Sequence, residues 1–117
     1  MPTAFPAVLD FILPAGDNAV LEITVRNPDQ TAMDLTGVTL KWSSQKLDDP
    51  STRIDLTLGN GLTMVDAVNG RLDVEIPKAT IVEPGPHMHE LEVISGGDSQ
   101  TVLQGNITVV RTLNPSS

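Results

Sequence analysis

The chain has no cysteine. Disulfides and thiolate metal sites are therefore excluded, and the redox state of its compartment is left open. Tyrosine is absent as well, and with one Trp and two Phe the aromatics make up 3% of the 117 residues. Carbohydrate and single-stranded nucleic-acid sites rely on aromatic platforms, so both are disfavoured. Positive charge is scarce: 7 Lys+Arg stand against 15 Asp+Glu, a formal net charge of −8. A surface of that sign repels phosphate, and nucleic acid is not expected as a partner. No apolar run has the length of a membrane-spanning helix, and no membrane contact is expected. The first ten residues contain no Lys or Arg and are broken by Pro2 and Pro6. That makes a poor signal peptide, and residues 1–10 read as an extended arm. The chain has the length of one domain, without internal repeat, linker or low-complexity segment.

What the chain does contain is alternation with a period of two. The organising stretch is Glu83-Pro84-Gly85-Pro86-His87-Met88-His89-Glu90-Leu91-Glu92-Val93. A proline-glycine corner leads into a strand with His87, His89, Leu91 and Val93 on one face and Met88, Glu90, Glu92 and Ile94 on the other. Residues 20–26 alternate likewise, with Leu21, Ile23 and Val25 inward. In residues 38–46, Val38, Leu40 and Trp42 face inward, and the single Trp is expected to anchor the core. A short first strand fits residues 9–13. Residues 47–52 read as a polar loop, and residues 53–58, 62–66 and 71–76 as strands. Gly59-Asn60-Gly61 and Asn69-Gly70 supply turns. Pro77 ends the 71–76 strand, one helical turn fits residues 78–83, and Gly96-Gly97-Asp98 leads into a last strand over residues 100–111. No window has a helical period. Roughly seven to eight short strands, with turn signals about every 8–12 residues, predict an all-β, antiparallel two-sheet sandwich.

Candidate chemistry is sparse. His87 and His89 project from one face and can in principle share a metal ion. The cupin metal motif needs a glycine where Ile81 stands and a glutamate where Val93 or Ile94 stands, and it needs a third histidine that this chain lacks. Asp48 and Asp49 lie in a loop without the further oxygens that calcium requires. There is no GxSxG, no phosphate-cradling loop that opens a helix, and no serine placed to meet a histidine. No catalytic residue, metal or cofactor is expected, and the histidines read as core-edge or corner residues.

One stretch is unusual for another reason. From Ser99 to Val110 there is no charged residue, although 19% of the chain is charged. Solvent-facing strands normally carry charges that discourage pairing at the edge. The outward positions Val102, Gln104, Asn106, Thr108 and Val110 are therefore a candidate assembly surface, with Phe5 and Val8 of the apolar arm, free of charge until Asp10, as a second contact.

Several of these features recur together in a known group. A Gly16-Asp17 turn and a strand ending Asn27-Pro28-Asp29 are followed by Asp34-Leu35-Thr36-Gly37 and the strand of Trp42. Asn69-Gly70, Thr80, the Pro84-Gly85 corner, Glu90-Leu91-x-Val93 and Gln104-Gly105-Asn106-Ile107-Thr108-Val109 complete the set. This pattern resembles the immunoglobulin-like domains of tailed-bacteriophage virion proteins, the group that includes the N-terminal domain of baseplate upper proteins. It covers nearly the whole chain. Members of that group usually carry tyrosines where His87 and His89 stand. The resemblance implies a structural corner of Pro84, Gly85, His87 and His89, with histidine donating in place of tyrosine, and a pH response near ~6.

The resemblance further implies an immunoglobulin-like sandwich over residues 11–112 with a loose tail at 113–117. It implies a non-enzymatic structural or assembly component of a virion, as head decoration, adaptor or tail/baseplate subunit. Its partners would be other virion proteins or further copies of itself as a homo-oligomer, and it would assemble in the bacterial host cytoplasm. A free-standing small protein is expected, rather than the root of a long fibre. The alternative is a module that binds a host-surface glycan or receptor.

Overall fold

The computed structural model describes residues 7–27, 29–77, 80–81 and 83–111. In chain order the strands are β1 (Ala7–Val8), β2 (Phe11–Pro14), β3 (Ala19–Thr24), β4 (Thr39–Lys46), β5 (Asp49–Leu58), β6 (Gly61–Asp66), β7 (Arg71–Ile76), β8 (Gly85–Ser95) and β9 (Asp98–Val110). They hydrogen-bond into a mixed sheet in the order β1-β9-β8-β4-β5-β6-β7-β3, with β2 also on β9. The sheet curls into a half-barrel, and the chain is all-β. The alternating segments form strands because each buries one row of apolar side chains and leaves the other row in water. Ile23, Leu62, Leu72, Val74 and Ile76 enter the core from one half of the sheet. Leu40, Trp42, Leu91, Val93, Ile107 and Val109 enter it from the other. Each such side chain contributes about 1.5–3 kcal/mol by leaving water.

Turn chemistry sets the crossings. Asp34 Oδ1 accepts from the Thr36 N–H at 2.9 Å. This turn drops Leu35 into the core, where it is fully buried, and the Leu35 N–H donates to the Ala67 carbonyl at 2.8 Å. Gly70 has φ +71° and is packed against the Val25 and Met33 carbonyls, so no Cβ fits there.

Several expectations are corrected. Pairing is not antiparallel throughout, because β1 and β2 run parallel to β9 and β5 runs parallel to β6. Residues 47–52 are not a loop: Lys46 pairs with Asp49 across a Leu47-Asp48 turn, and Asp48 takes φ 71°. The polarity of residues 49–52 hides their strand character in the sequence. Ala7 and Val8, placed in the arm from sequence, pair with Leu103 and Gln104. Residues 1–6 and 112–117, which hold most of the expected arm and the tail, lie outside the described residues, as do 78, 79 and 82 of the expected helical turn.

Candidate functional site

The two histidines of β8 share a face but do different work. His87 is buried, and its Nε2 lies 2.8 Å from the Glu83 carbonyl oxygen. A carbonyl only accepts, so Nε2 carries the proton and ties the strand back across the Pro84-Gly85 corner. Lys46 Nζ stands 3.7 Å from the Glu83 carboxylate on the solvent side. Of the four residues assigned to the corner, His89 is not part of it.

His89 reaches the N-terminal segment instead. Its Nδ1 accepts from Trp42 Nε1–H at 3.2 Å, and its Nε2 lies 2.6 Å from the Leu9 carbonyl oxygen. Indole N–H can only donate and a carbonyl can only accept, so the tautomer is determined: Nδ1 is bare and Nε2 is protonated. The ring packs edge-on to Phe11 with centroids 5.3 Å apart, and tilts against Trp42 at 5.7 Å. Both ring nitrogens are thus engaged by protein groups. Burial pushes the His89 pKa down, opposed by the bond to Leu9 and the charge of Asp10. Among the described residues no group of three or more His, Cys, Asp or Glu side chains is placed to share a metal ion.

The Leu9 carbonyl can point inward because residue 105 is glycine. A Cβ on Gly105 would collide with the Leu9 carbonyl. The Leu9 N–H donates to the Gln104 carbonyl at 2.9 Å, and Asp10 Oδ1 accepts from the Asn106 N–H at 2.8 Å. The Asp10 side chain therefore replaces a backbone acceptor across a kink between β1 and β2. After the kink the ladder resumes with Phe11 opposite Ile107.

This kinked segment builds the outer face of the sheet. Gln104, Asn106, Thr108 and Val110 are all exposed on it. Val8 and Ile12 stand beside them, each 69% exposed, with Met88 at 39% on the neighbouring strand. Asn106 faces Met88 and Thr108 faces Pro86 across β8–β9, while Ile12 faces Thr108 across β2–β9. Val8, Met88, Gln104 and Asn106 line an open cavity of ≈ 300 Å³ together with the acidic Asp10 and Glu90. Further charge lies along the same sheet, on β4 and β5. There Asp55 accepts from Ser43 Oγ at 2.6 Å and Arg53 Nε at 3.1 Å, and Lys41 stands 3.9 Å away. The Ser43 hydroxyl, then Arg53 and Lys41, hold the Asp55 pKa below the usual carboxylate value.

Val102 does not belong to the exposed face. The register shifts so that Leu91 pairs with Leu103 and Glu92 with Thr101, leaving Val102 as the extra residue of a β-bulge. A bulge resets the parity of side chains, and both Val102 and Leu103 are buried. Phe5 lies outside the described residues. Trp42 is fully buried. Sequence reasoning missed Ile12, Met88 and Asp10. Ile12 was available from its alternation with Leu13. Met88 was passed over among the charged residues of its strand, and nothing local marks Asp10.

No family model matches the chain, and no curated protein matches it. Among solved structures it is similar to the N-terminal domain of phage TP901-1 ORF48, with a TM-score of 0.58 and 10% identity over 93% of this chain and 89% of that one. At that identity the likeness concerns the fold.

Proposed function

We propose that this chain is a non-enzymatic structural component of a tailed-phage particle, acting through protein contacts on the outer face of β1, β2, β9 and β8. The observation that carries the reading is the makeup of that face. On a chain of net charge −8, Val8, Ile12, Met88 and Val110 are exposed beside Gln104, Asn106 and Thr108, which carry no charge. Exposed apolar surface rimmed by uncharged polar groups is the usual makeup of a contact that excludes water. The fold likeness to a phage protein domain supports the same setting. So do the Asp34-Leu35-Thr36-Gly37 turn and the histidine bonded across the Pro84-Gly85 corner.

The strand pairing supports the immunoglobulin-like form of the fold. One set is β1-β9-β8-β4-β5, with β2 also on β9, and the other is β6-β7-β3. They are joined by two pairs, Thr57 with Gly61 and Leu58 with Leu62. The partner on the outer face is another virion subunit or a second copy of this chain, and a tail or baseplate position accords with the resemblance.

The test places charge in the middle of the face. Asn106→Asp with Thr108→Lys should leave the monomer folded, since both side chains point to solvent, and should weaken self-association or incorporation into particles at least tenfold. Unchanged oligomer size by sedimentation, together with unchanged incorporation, would remove the proposal.

A further inference from the structure

The sheet has a second unusual feature at its opposite end. Strand β3 terminates the strand order and pairs only with β7 among the described residues. The Val25 N–H donates to the Gly70 carbonyl at 2.8 Å, which sets the alternation along the ladder. Leu21 and Ile23 then bond toward β7, and the N–H and C=O groups of Val20, Glu22 and Thr24 point away from it. At the far end of the sheet β1 and β2 cover β9. β3 has no such cover among the described residues. Its pairing with β7 runs without a bulge from Ala19 opposite Ile76 to Thr24 opposite Arg71. It contains no proline, and Glu22 is its one charged side chain. Of the devices that usually blunt a free edge, bulge and proline are absent and one charge is present.

The two faces of β3 specify what would pair there. Inward, Ile23 is buried but Ala19 and Leu21 are only partly so, at the margin of the core. An added strand with an apolar inward residue would cover Leu21. Outward, Glu22 lies directly opposite Asp73, and Val20 lies opposite Glu75. Like charges facing each other across a ladder repel. Arg71, opposite Thr24, offsets them in part. A cleft of ≈ 250 Å³ opens on this face between Glu22, Thr24, Val65, Arg71 and Asp73, large enough for the head of one basic side chain.

We infer that the free edge of β3 is a strand-addition site for an extended segment of a partner protein in which apolar residues alternate with lysine or arginine. Main-chain bonds to Val20, Glu22 and Thr24 supply the pairing, and the alternate side chains supply selectivity. A second copy pairing symmetrically through β3 fits worse, because antiparallel pairing centred on Glu22 sets carboxylate against carboxylate. The site is separate from the outer face of β9 and does not depend on it.

The test uses a labelled hexapeptide alternating Lys and Val, capped at both ends, with the full chain. Binding is read by fluorescence anisotropy, and amide exchange by NMR. In the free protein the amides of Val20, Glu22 and Thr24 should exchange faster than those of Leu21 and Ile23, and the peptide should slow them. An alternating Glu-Val peptide, and a block peptide of three Lys followed by three Val, should bind at least tenfold more weakly. Thr24→Pro removes an N–H that points away from β7 and should reduce binding at least tenfold with unchanged circular dichroism. Equal binding of the block peptide would reduce the effect to net charge and overturn the inference. So would protection of the three amides in the free protein, which would mean that the edge is already occupied. If Thr24→Pro fails to fold, exchange in the unmodified chain decides. The Asn106→Asp, Thr108→Lys variant should bind the peptide normally, so failure here is distinguishable from failure of the outer-face reading.

Discussion

His89 carries the most consequence of any single residue. It is 2% exposed, and its two nitrogens join the indole of Trp42 to the carbonyl of Leu9. The arrangement requires the neutral ring. A proton on Nδ1 would set two donors against each other at the Trp42 contact and place a charge in the core. From β8 itself, Glu90 lines the adjoining cavity, Asp10 faces the ring from the N-terminal segment, and Arg53 of β5 borders a second cavity beside it. Burial, opposed by the bond to the Leu9 carbonyl and by the charge of Asp10, holds the pKa below the ordinary 6.5. The unfolded chain therefore takes up the proton more readily than the folded one. The stability contributed by neutral His89 is complete above about pH 6.5 and is lost as pH falls below that value. Urea midpoints measured from pH 7.5 to 5 should decrease, and His89→Gln should flatten the slope. A wild-type profile that is level across this range would contradict the assignment.

At the scale of the element, the N-terminal segment is held by a few specific contacts rather than by a long ladder. β1 is two residues and β2 four. Between them the chain kinks, with the Leu9 carbonyl over Gly105 and the Asp10 carboxylate on the Asn106 N–H. Gly105→Ala would push the Leu9 carbonyl off His89 and break the kink. The expected cost is roughly 2–3 kcal/mol, from overpacking together with a lost buried hydrogen bond. Urea denaturation reads the energy, and faster exchange of the Leu9 amide reads the location. Glycine at 105 is therefore a requirement of close approach by another strand. Its place in the motif Gln104-Gly105-Asn106 was visible in the sequence, but that reason was not.

The whole molecule combines a strongly acidic balance with an outer face whose β9 positions carry no charge, beside Asp10 and Glu90. Copies or partners of like sign repel at long range, and the repulsion is screened over about 10 Å at 0.1 M salt. The outward residues of β9 between Gln104 and Val110 supply no charge to a contact there. Association there should hold or strengthen as salt rises from about 50 to 500 mM, while peptide addition at the acidic edge of β3 should weaken over the same range. Sedimentation velocity and anisotropy titrations across salt separate the two surfaces. An outer-face association that collapses with salt would show that charge, not the uncharged face, drives it.

The sequence by itself determined most of the strands, most of the inward rows and the core position of Trp42. Alternation is a local property, and a period of two can only be satisfied by burying one face of an extended chain. Composition likewise marks the uncharged run from Ser99 to Val110 that forms most of β9. Tertiary structure decided what depends on residues far apart. The bulge that turns Val102 inward is a mismatch between two strands and has no signature in either alone. The parallel seating of β1 and β2 on β9 depends on Gly105, about 100 residues from the segment it admits. The corner stretch holding both histidines was correctly read as one buried face. That His87 closes the corner while His89 holds the N-terminal segment to the core followed only from the positions of Glu83, Trp42 and Leu9 in space. Strand β3 read from sequence as an ordinary half-buried strand. That its far edge carries no strand among the described residues, while the N-terminal segment lies on β9, was visible only in the tertiary structure.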